Sequence, residues 1–311
     1  MRVLVVTNLW PTPESPGRGG FVRDQVEALR AIDGVDVELF TFGLGTREYL
    51  RAAAEARRRY RGDRFDVVHA HYGLCGWTAL AVRGAPHVVT FHGTDLAHRV
   101  AGPLSRVLAR LIALPAPVSA SLASSGLPGR APGSLAVLPC GVNLERFHRI
   151  DRREARAALG FDPDSPYLLF PADPARPKKR FDRARSLADG AGVQLLSYEQ
   201  RPPEEIPLMI NAANAMLAPS EREGFGLAPL EALACDIPVL ATDVGIAPLA
   251  LDGIHGALCG PFDRARWAAA LAPHVAAADP RVEGRRRAAL FDRNRLAERV
   301  FRAYQDVTRA A

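Results

Sequence analysis

At 311 residues the chain is long enough for two domains of ordinary size, each able to bury a core. Hydrophobic residues at 48% and charged residues at 24% are the proportions of a soluble globular protein, and no stretch reaches the ~18 uncharged apolar residues of a membrane-crossing helix. A net charge of +6 points to anionic partners, phosphate or an acidic membrane surface, while the lack of aromatic-basic interleaving puts nucleic acid last.

The N-terminus enters directly into Val3-Leu4-Val5-Val6, which reads as a core strand and not as a signal peptide. Four widely spaced cysteines, Cys75, Cys140, Cys235 and Cys259, read as free thiols in a reducing compartment, so a cytoplasmic protein is expected. Residues 2–7 form a continuous apolar run, as in a buried parallel strand. A Pro- and Gly-rich loop ends in Gly17-Arg18-Gly19-Gly20, and a helix follows with Phe21, Val22, Val26, Leu29 and Ile32 on one face. Strand, glycine loop and helix can surround a phosphate with backbone N–H groups, although a plain connection accounts for the pattern about as well.

Residues 35–40 read as the second strand and 47–61 as a helix crowded with arginine, above all Arg57-Arg58-Arg59. A solvated face explains that cluster best, with an anionic membrane surface as the second reading. Strands at 66–70 and 87–91 end in His71 and His92, where loops of a parallel sheet line a ligand crevice. Two histidines at successive strand ends are candidates for a site, but no third ligand at useful spacing supports a metal. A helix at 104–114, a weak strand at 115–119, a small-residue helix and a strand at 135–138 complete about six strands alternating with helices. The first domain is thus predicted as a doubly wound α/β sheet over residues 1–148.

The second domain, 149–293, opens with a helix at 152–159 and a strand at 167–171. A proline-broken basic loop follows, with Arg176, Lys178, Lys179 and Arg180 placed to hold a diphosphate at a strand's C-terminal end. Strands at 193–197, 215–218, 237–241 and 255–259 alternate with helices at 204–212, 267–277 and 283–290, and a last helix spans 295–308. Residues 294–311 are expected to pack back on the first domain.

The stretch from Pro219 to Cys235 runs strand, acidic loop, Gly224-Phe225-Gly226 turn, helix. Glu223 on the loop and Glu231 on the helix can face one ligand from two sides, and a helix start adds unpaired N–H groups. For a lone pair of glutamates, a helix cap and a solvated side chain would be the plainer account.

The surrounding residues change that balance, because the whole set resembles the retaining glycosyltransferases of family 4. The resemblance is carried by Glu223-Gly224-Phe225-Gly226 through Glu231, by Ala232 to Val239, and by Asp243-Val244-Gly245. Gly141-Val142-Asn143 with Phe147, the Gly19-Gly20 loop and Phe91-His92-Gly93-Thr94-Asp95 add to it, so that it covers essentially the full length. Phe170-Pro171-Ala172-Asp173 with Lys179-Arg180-Phe181 looks like the branch of teichuronic-acid-type polysaccharide enzymes. The resemblance implies the GT-B architecture, two Rossmann-like domains facing across a cleft, and a hexosyltransferase using a nucleoside-diphosphate sugar without a metal or other cofactor. It implies that Glu223 holds the donor sugar, aided by Gly224, Phe225, Gly226 and the adjoining Leu227, and that Glu231 binds the ribose. Lys179 would contact the diphosphate, Gly19 and Gly20 would approach the phosphates, and His92 would lie near the reacting carbon. Where the family carries Gly-Arg this chain has Ala172-Asp173, which makes Arg176, or Lys178, the substitute cation. The stretch before the glutamate motif is short, with a strand–helix unit reduced to Tyr198-Glu199-Gln200. The acceptor implied is a glycan or a lipid-linked acceptor, with an anionic membrane surface as a further expected partner and a peripheral place on the inner face of the membrane as the expectation that goes with it. A catalytically silent binding module and a sugar-nucleotide epimerase of the same architecture are the alternatives.

Overall fold

The structure, a computed structural model, describes residues 1–128, 135–199 and 201–310. It divides into two compact units, Met1–Gly141 joined by the terminal segment from Arg293, and Val142–Asp292. The boundary falls before the sequence-expected 148/149. Val142 N–H bonds to Phe291 O (2.8 Å), and the Arg285 guanidinium donates to Leu144 O (3.2 Å) and Phe147 O (3.1 Å). These bonds tie residues 142–147 to the second unit.

The first unit contains β1 (Arg2–Thr7), α1 (Gly20–Arg30), β2 (Asp36–Thr41), α2 (Thr46–Arg59), β3 (Val67–His71), α3 (Gly73–Ala79) and β4 (His87–Phe91). It continues with α4 (Thr94–Ala97), α5 (Ala101–Ala109), β5 (Leu114–Pro117) and α6 (Ala120–Ala123). The strands are all parallel in the order β2-β1-β3-β4-β5. Both faces are covered, which is why β1 reads as an unbroken apolar run. Leu4 and Val6 enter the core shared with Ala52, Ala56 and Leu108, and Val3 and Val5 enter the one shared with Val22, Val26 and Tyr304.

Two expectations for this unit need correction. The helix predicted at 104–114 lies at Ala101–Ala109, because the chain tightens through Arg110 N–H to Val107 O and Leu111 N–H to Leu108 O before entering β5. The sixth strand at 135–138 is not formed. Ala136 N–H reaches Pro115 O (3.3 Å) and Leu138 N–H reaches Pro117 O (3.0 Å), but the two prolines have no N–H to return. The ladder is one-sided and the sheet stops at five strands.

The second unit contains α7 (Arg152–Ala158), β6 (Tyr167–Phe170), α8 (Phe181–Ala191), β7 (Gln194–Ser197), α9 (Ile206–Ala212), β8 (Ala215–Ala218), α10 (Ala228–Ala234) and β9 (Val239–Ala241). It ends with α11 (Ala247–Leu251), β10 (Leu258–Cys259), α12 (Arg264–Ala276) and α13 (Arg285–Ala289). Its sheet is parallel in the order β10-β9-β8-β6-β7, so the order reverses beside β6, the position at which such sheets bind ligands. The final helix, α14 (Arg293–Arg309), returns to the first unit and packs beside α1, burying Leu296, Ala297, Val300 and Tyr304.

Candidate active site

In the second unit a cavity of about 190 Å³ opens at the C-terminal ends of β6, β7, β8 and β9. Phe170, Pro171 and Ala172 bring the end of β6 to it, Tyr198 the end of β7, Ala218 and Ser220 the end of β8, and Ala241 and Thr242 the end of β9. Lys179, Glu223, Gly226, Leu227 and Glu231 complete the polar and helical wall.

The loop after β6 and the loop after β8 are tied to one another. Lys179 Nζ lies 2.6 Å from Glu223 Oε1, and Ser220 Oγ donates to the same oxygen at 2.7 Å. Glu221 N–H bonds to Lys178 O (2.9 Å), Arg180 pairs with Glu221 (2.9 Å), and Arg183 donates to Pro219 O (3.2 Å). Arg180 has φ 58°, a left-handed conformation that costs energy in a residue with a side chain, and it turns the chain into α8. Thr242 Oγ1 donates to Ser220 O (2.5 Å), which fixes the serine that positions Glu223. Gly245 has φ 60°, and a Cβ there would stand 2.2 Å from Phe225 O and 2.8 Å from Glu223 Cβ. Only glycine lets the chain after β9 pass this close beneath the glutamate loop.

Tyr198 has its hydroxyl buried at the cavity with no hydrogen-bond partner among the described residues. Burial, and then the Glu231 carboxylate, push its pKa well above the ordinary value, so it remains a neutral phenol.

The first unit holds a separate group at the ends of β3 and β4. His71 Nδ1 lies 3.2 Å from His92 Nε2, with the two rings stacked, and Phe21 packs against His92 at 4.9 Å. Beneath them His69 bonds through Nδ1 to Tyr304 Oη (2.6 Å) and through Nε2 to Thr90 Oγ1 (2.7 Å). Desolvation pushes His69 down to about 3 and lowers His71 and His92 as well, so the rings are neutral near pH 7. Asp95, fully buried, accepts N–H bonds from Gly73 (3.0 Å), His92 (3.1 Å) and Gly93 (2.8 Å) and so shapes the turn that carries His92.

Of the residues singled out from sequence, Lys179, Glu223, Gly226, Leu227 and Glu231 converge on the cavity. Arg176 and Lys178 do not line it; both are exposed on the loop, and only the Lys178 carbonyl takes part in the tie. Phe225 turns its buried ring toward Phe291 (6.3 Å) and, like Gly224, is absent from the lining. His92, Gly19 and Gly20 belong to the first unit. Gly19 caps α1 with φ 65°, and a Cβ there would meet Leu9 O at 2.1 Å; Gly20 starts the helix with open space around it. Gln200 lies outside the described residues. Sequence reasoning missed Ser220 and Thr242, and it set Arg180 among the diphosphate cations, whereas its guanidinium pairs with Asp182 and Glu221. Ser220 adjoins the motif, but the hand of Thr242 on it is visible only once β8 and β9 are paired. Among the described residues no group of three or more His, Cys, Asp or Glu is arranged to hold a metal ion.

Two family models match the chain: "Glycosyltransferase Family 4" over residues 2–146 and "Glycosyl transferases group 1" over residues 169–275. Among curated proteins, a D-inositol 3-phosphate glycosyltransferase of Mycobacterium avium is 32% identical over 325 residues, covering 87% of this chain and 74% of that protein. The enzyme of the same name from Actinosynnema mirum is 31% identical over 279 residues, covering 70% of this chain; the chain spans only 65% of that relative's length. Among solved structures, Anabaena HepE in complex with UDP and glucose superposes with a TM-score of 0.72 at 15% identity, covering 98% of this chain and 100% of that one.

Proposed function

Because the chain belongs to glycosyltransferase family 4 and has the two parallel α/β units of the GT-B fold, we propose that it is a retaining hexosyltransferase needing no metal. It would move a sugar from a nucleoside-diphosphate donor to a hydroxyl of a glycan or lipid-linked acceptor. The observation that carries this reading is the Lys179–Glu223 pair at 2.6 Å, in one cavity with Glu231 at the C-terminal ends of a parallel sheet. A fixed ammonium beside two carboxylates suits a ligand with a charged diphosphate between two hydroxyl-bearing sugars. In this reading Lys179 meets the diphosphate, Glu223 the donor sugar and Glu231 the ribose.

The reaction breaks the bond between the sugar's anomeric carbon and the diphosphate oxygen, which keeps the electron pair. The acceptor oxygen bonds to the same carbon on the face the diphosphate leaves. Its proton passes to the departing phosphate oxygen, so configuration is retained without a protein nucleophile. Lys179 stabilises the charge that develops on that oxygen. His92, kept neutral by burial, can offer or accept a hydrogen bond without adding charge.

The relatives from Actinosynnema mirum and Mycobacterium avium, both D-inositol 3-phosphate glycosyltransferases, favour a second reading of the acceptor, a small phosphorylated polyol in place of a glycan. A role in envelope polysaccharide assembly rests on the pattern of Phe170 to Asp173 with Lys179 to Phe181, and a cytoplasmic site agrees with four free cysteines.

Thermal shift with UDP-, GDP- and ADP-sugars tests the donor class, since a ligand of the native state raises stability by RT ln(1 + [L]/Kd). One nucleotide series should raise the Tm and support turnover that persists in EDTA. No shift with any of them would remove the donor-site reading, and activity lost in EDTA and restored by Mg²⁺ would remove the metal-free mechanism.

A further inference from the structure

Helix α5 is apolar on both sides. Its inner side buries Ala101, Ser105, Leu108 and Ala109 against the first sheet's core. Its outer side, extended by a residue or two at each end, exposes Val100 (66%), Leu104 (43%), Val107 (47%) and Leu111 (55%) at helical spacing. A helix with apolar residues all round is ordinarily buried, and a continuous exposed stripe of this kind marks a contact surface. Trp77 borders it, its indole N–H donating to Leu104 O at 3.3 Å.

The charge around the stripe names the partner. Arg99 and Arg110 flank it and are exposed. From Val67 to Leu144 the only acidic residue is Asp95, which is fully buried and satisfied by three N–H groups. The face is therefore basic and apolar without a carboxylate on this stretch of chain. A second copy docking on a two-fold axis would set these arginines against their own kind with no carboxylate from the segment to pair them. An anionic bilayer meets both properties, because the apolar row can enter the acyl boundary while arginines sit among acidic headgroups. The Arg57-Arg58-Arg59 cluster is less suited: Arg59 already pairs with Glu38 (3.6 Å) and lies over the Tyr60 ring, and Glu48 and Glu55 share its helix.

We propose that the outer face of α5 docks the first unit on an anionic lipid bilayer, with Val100, Leu104, Val107 and Leu111 inserted and Arg99 and Arg110 at the headgroups. The proposal goes beyond the transfer reaction and does not depend on it.

The test is co-sedimentation of the full chain with vesicles of phosphatidylcholine alone and of phosphatidylcholine mixed with phosphatidylglycerol. Binding is expected only to the anionic vesicles. Leu104→Asp with Val107→Asp should weaken it by about tenfold or more, and Arg99→Ala with Arg110→Ala should remove its dependence on phosphatidylglycerol. Both variants change exposed side chains, so their Tm and their turnover of a water-soluble acceptor should match the parent. Equal binding to both vesicle types, unaltered binding by either variant, or a dimer that the Leu104→Asp and Val107→Asp pair dissociates would overturn the proposal. Loss of transfer with vesicle binding intact would instead count against the enzymatic reading.

Discussion

Lys178 and Lys179 are the only lysines in a chain with 40 basic residues, so an ammonium rather than a guanidinium stands against Glu223 at 2.6 Å. A compact ammonium can share Glu223 Oε1 with Ser220 Oγ, whereas a bidentate planar fork would compete with the serine for that carboxylate. Lys179→Ala should lower kcat/KM by about 100-fold or more, in the range seen when one charge-stabilising donor is removed. Lys179→Arg should recover little of it, and full recovery would show that charge alone matters there. Amine-reactive labelling offers a second readout, since the cognate nucleotide should protect Lys179 and leave the exposed Lys178 reactive. Glu231→Ala should weaken nucleotide binding measured by calorimetry, and unchanged affinity would remove its ribose role. Tyr304→Phe deletes the partner of the fully buried His69 Nδ1 and should cost about 1–3 kcal/mol, read as a fall in Tm with kcat little changed. Glu223 and Glu231 were legible in the sequence because the motif is contiguous. Tyr304 was not, because its partner is 235 residues away in the chain.

At the scale of elements, the strands of both sheets were legible where both faces are buried, as continuous apolar runs of four to six residues. The 135–138 segment has the same character, yet its would-be partner carries Pro115 and Pro117, whose missing N–H groups decide the outcome. Reading it correctly needed the pairing of β5 and not the composition of 135–138. The loop tie beside the cavity was half legible. The basic run of 176–180 drew attention to the loop, whereas the bond of Glu221 N–H to Lys178 O and the left-handed turn at Arg180 are products of β6 and β8 lying side by side. Arg180→Gly separates the roles of this turn. Glycine accepts φ 58° readily but loses the pairs with Glu221 and Asp182. The Tm should change little while the donor KM rises several-fold, and an unchanged KM would show that the tie does not set the position of Lys179.

For the whole molecule the buried histidines set a pH limit. His69, His71 and His92 have pKa values lowered by burial, so the unfolded chain takes up protons that the folded chain refuses. Their contribution to stability is complete above the unfolded value near 6.5 and is lost as pH falls toward the depressed native values. His69 alone should withdraw about 2 kcal/mol between pH 7 and pH 5, a window that lies above the lowered carboxylates Asp162, Asp182 and Asp279. A Tm that holds level across that window would contradict neutral, buried histidines. The return of α14 to the first unit has a consequence of another kind. Translation delivers β1 to β5 first, then all of 142–292, and only afterwards the helix that seats Tyr304 on His69. The sheet begun earliest is thus the one completed last, and a nascent chain released at Asp292 should hold a finished second unit and a first unit whose buried His69 still lacks its Tyr304 partner.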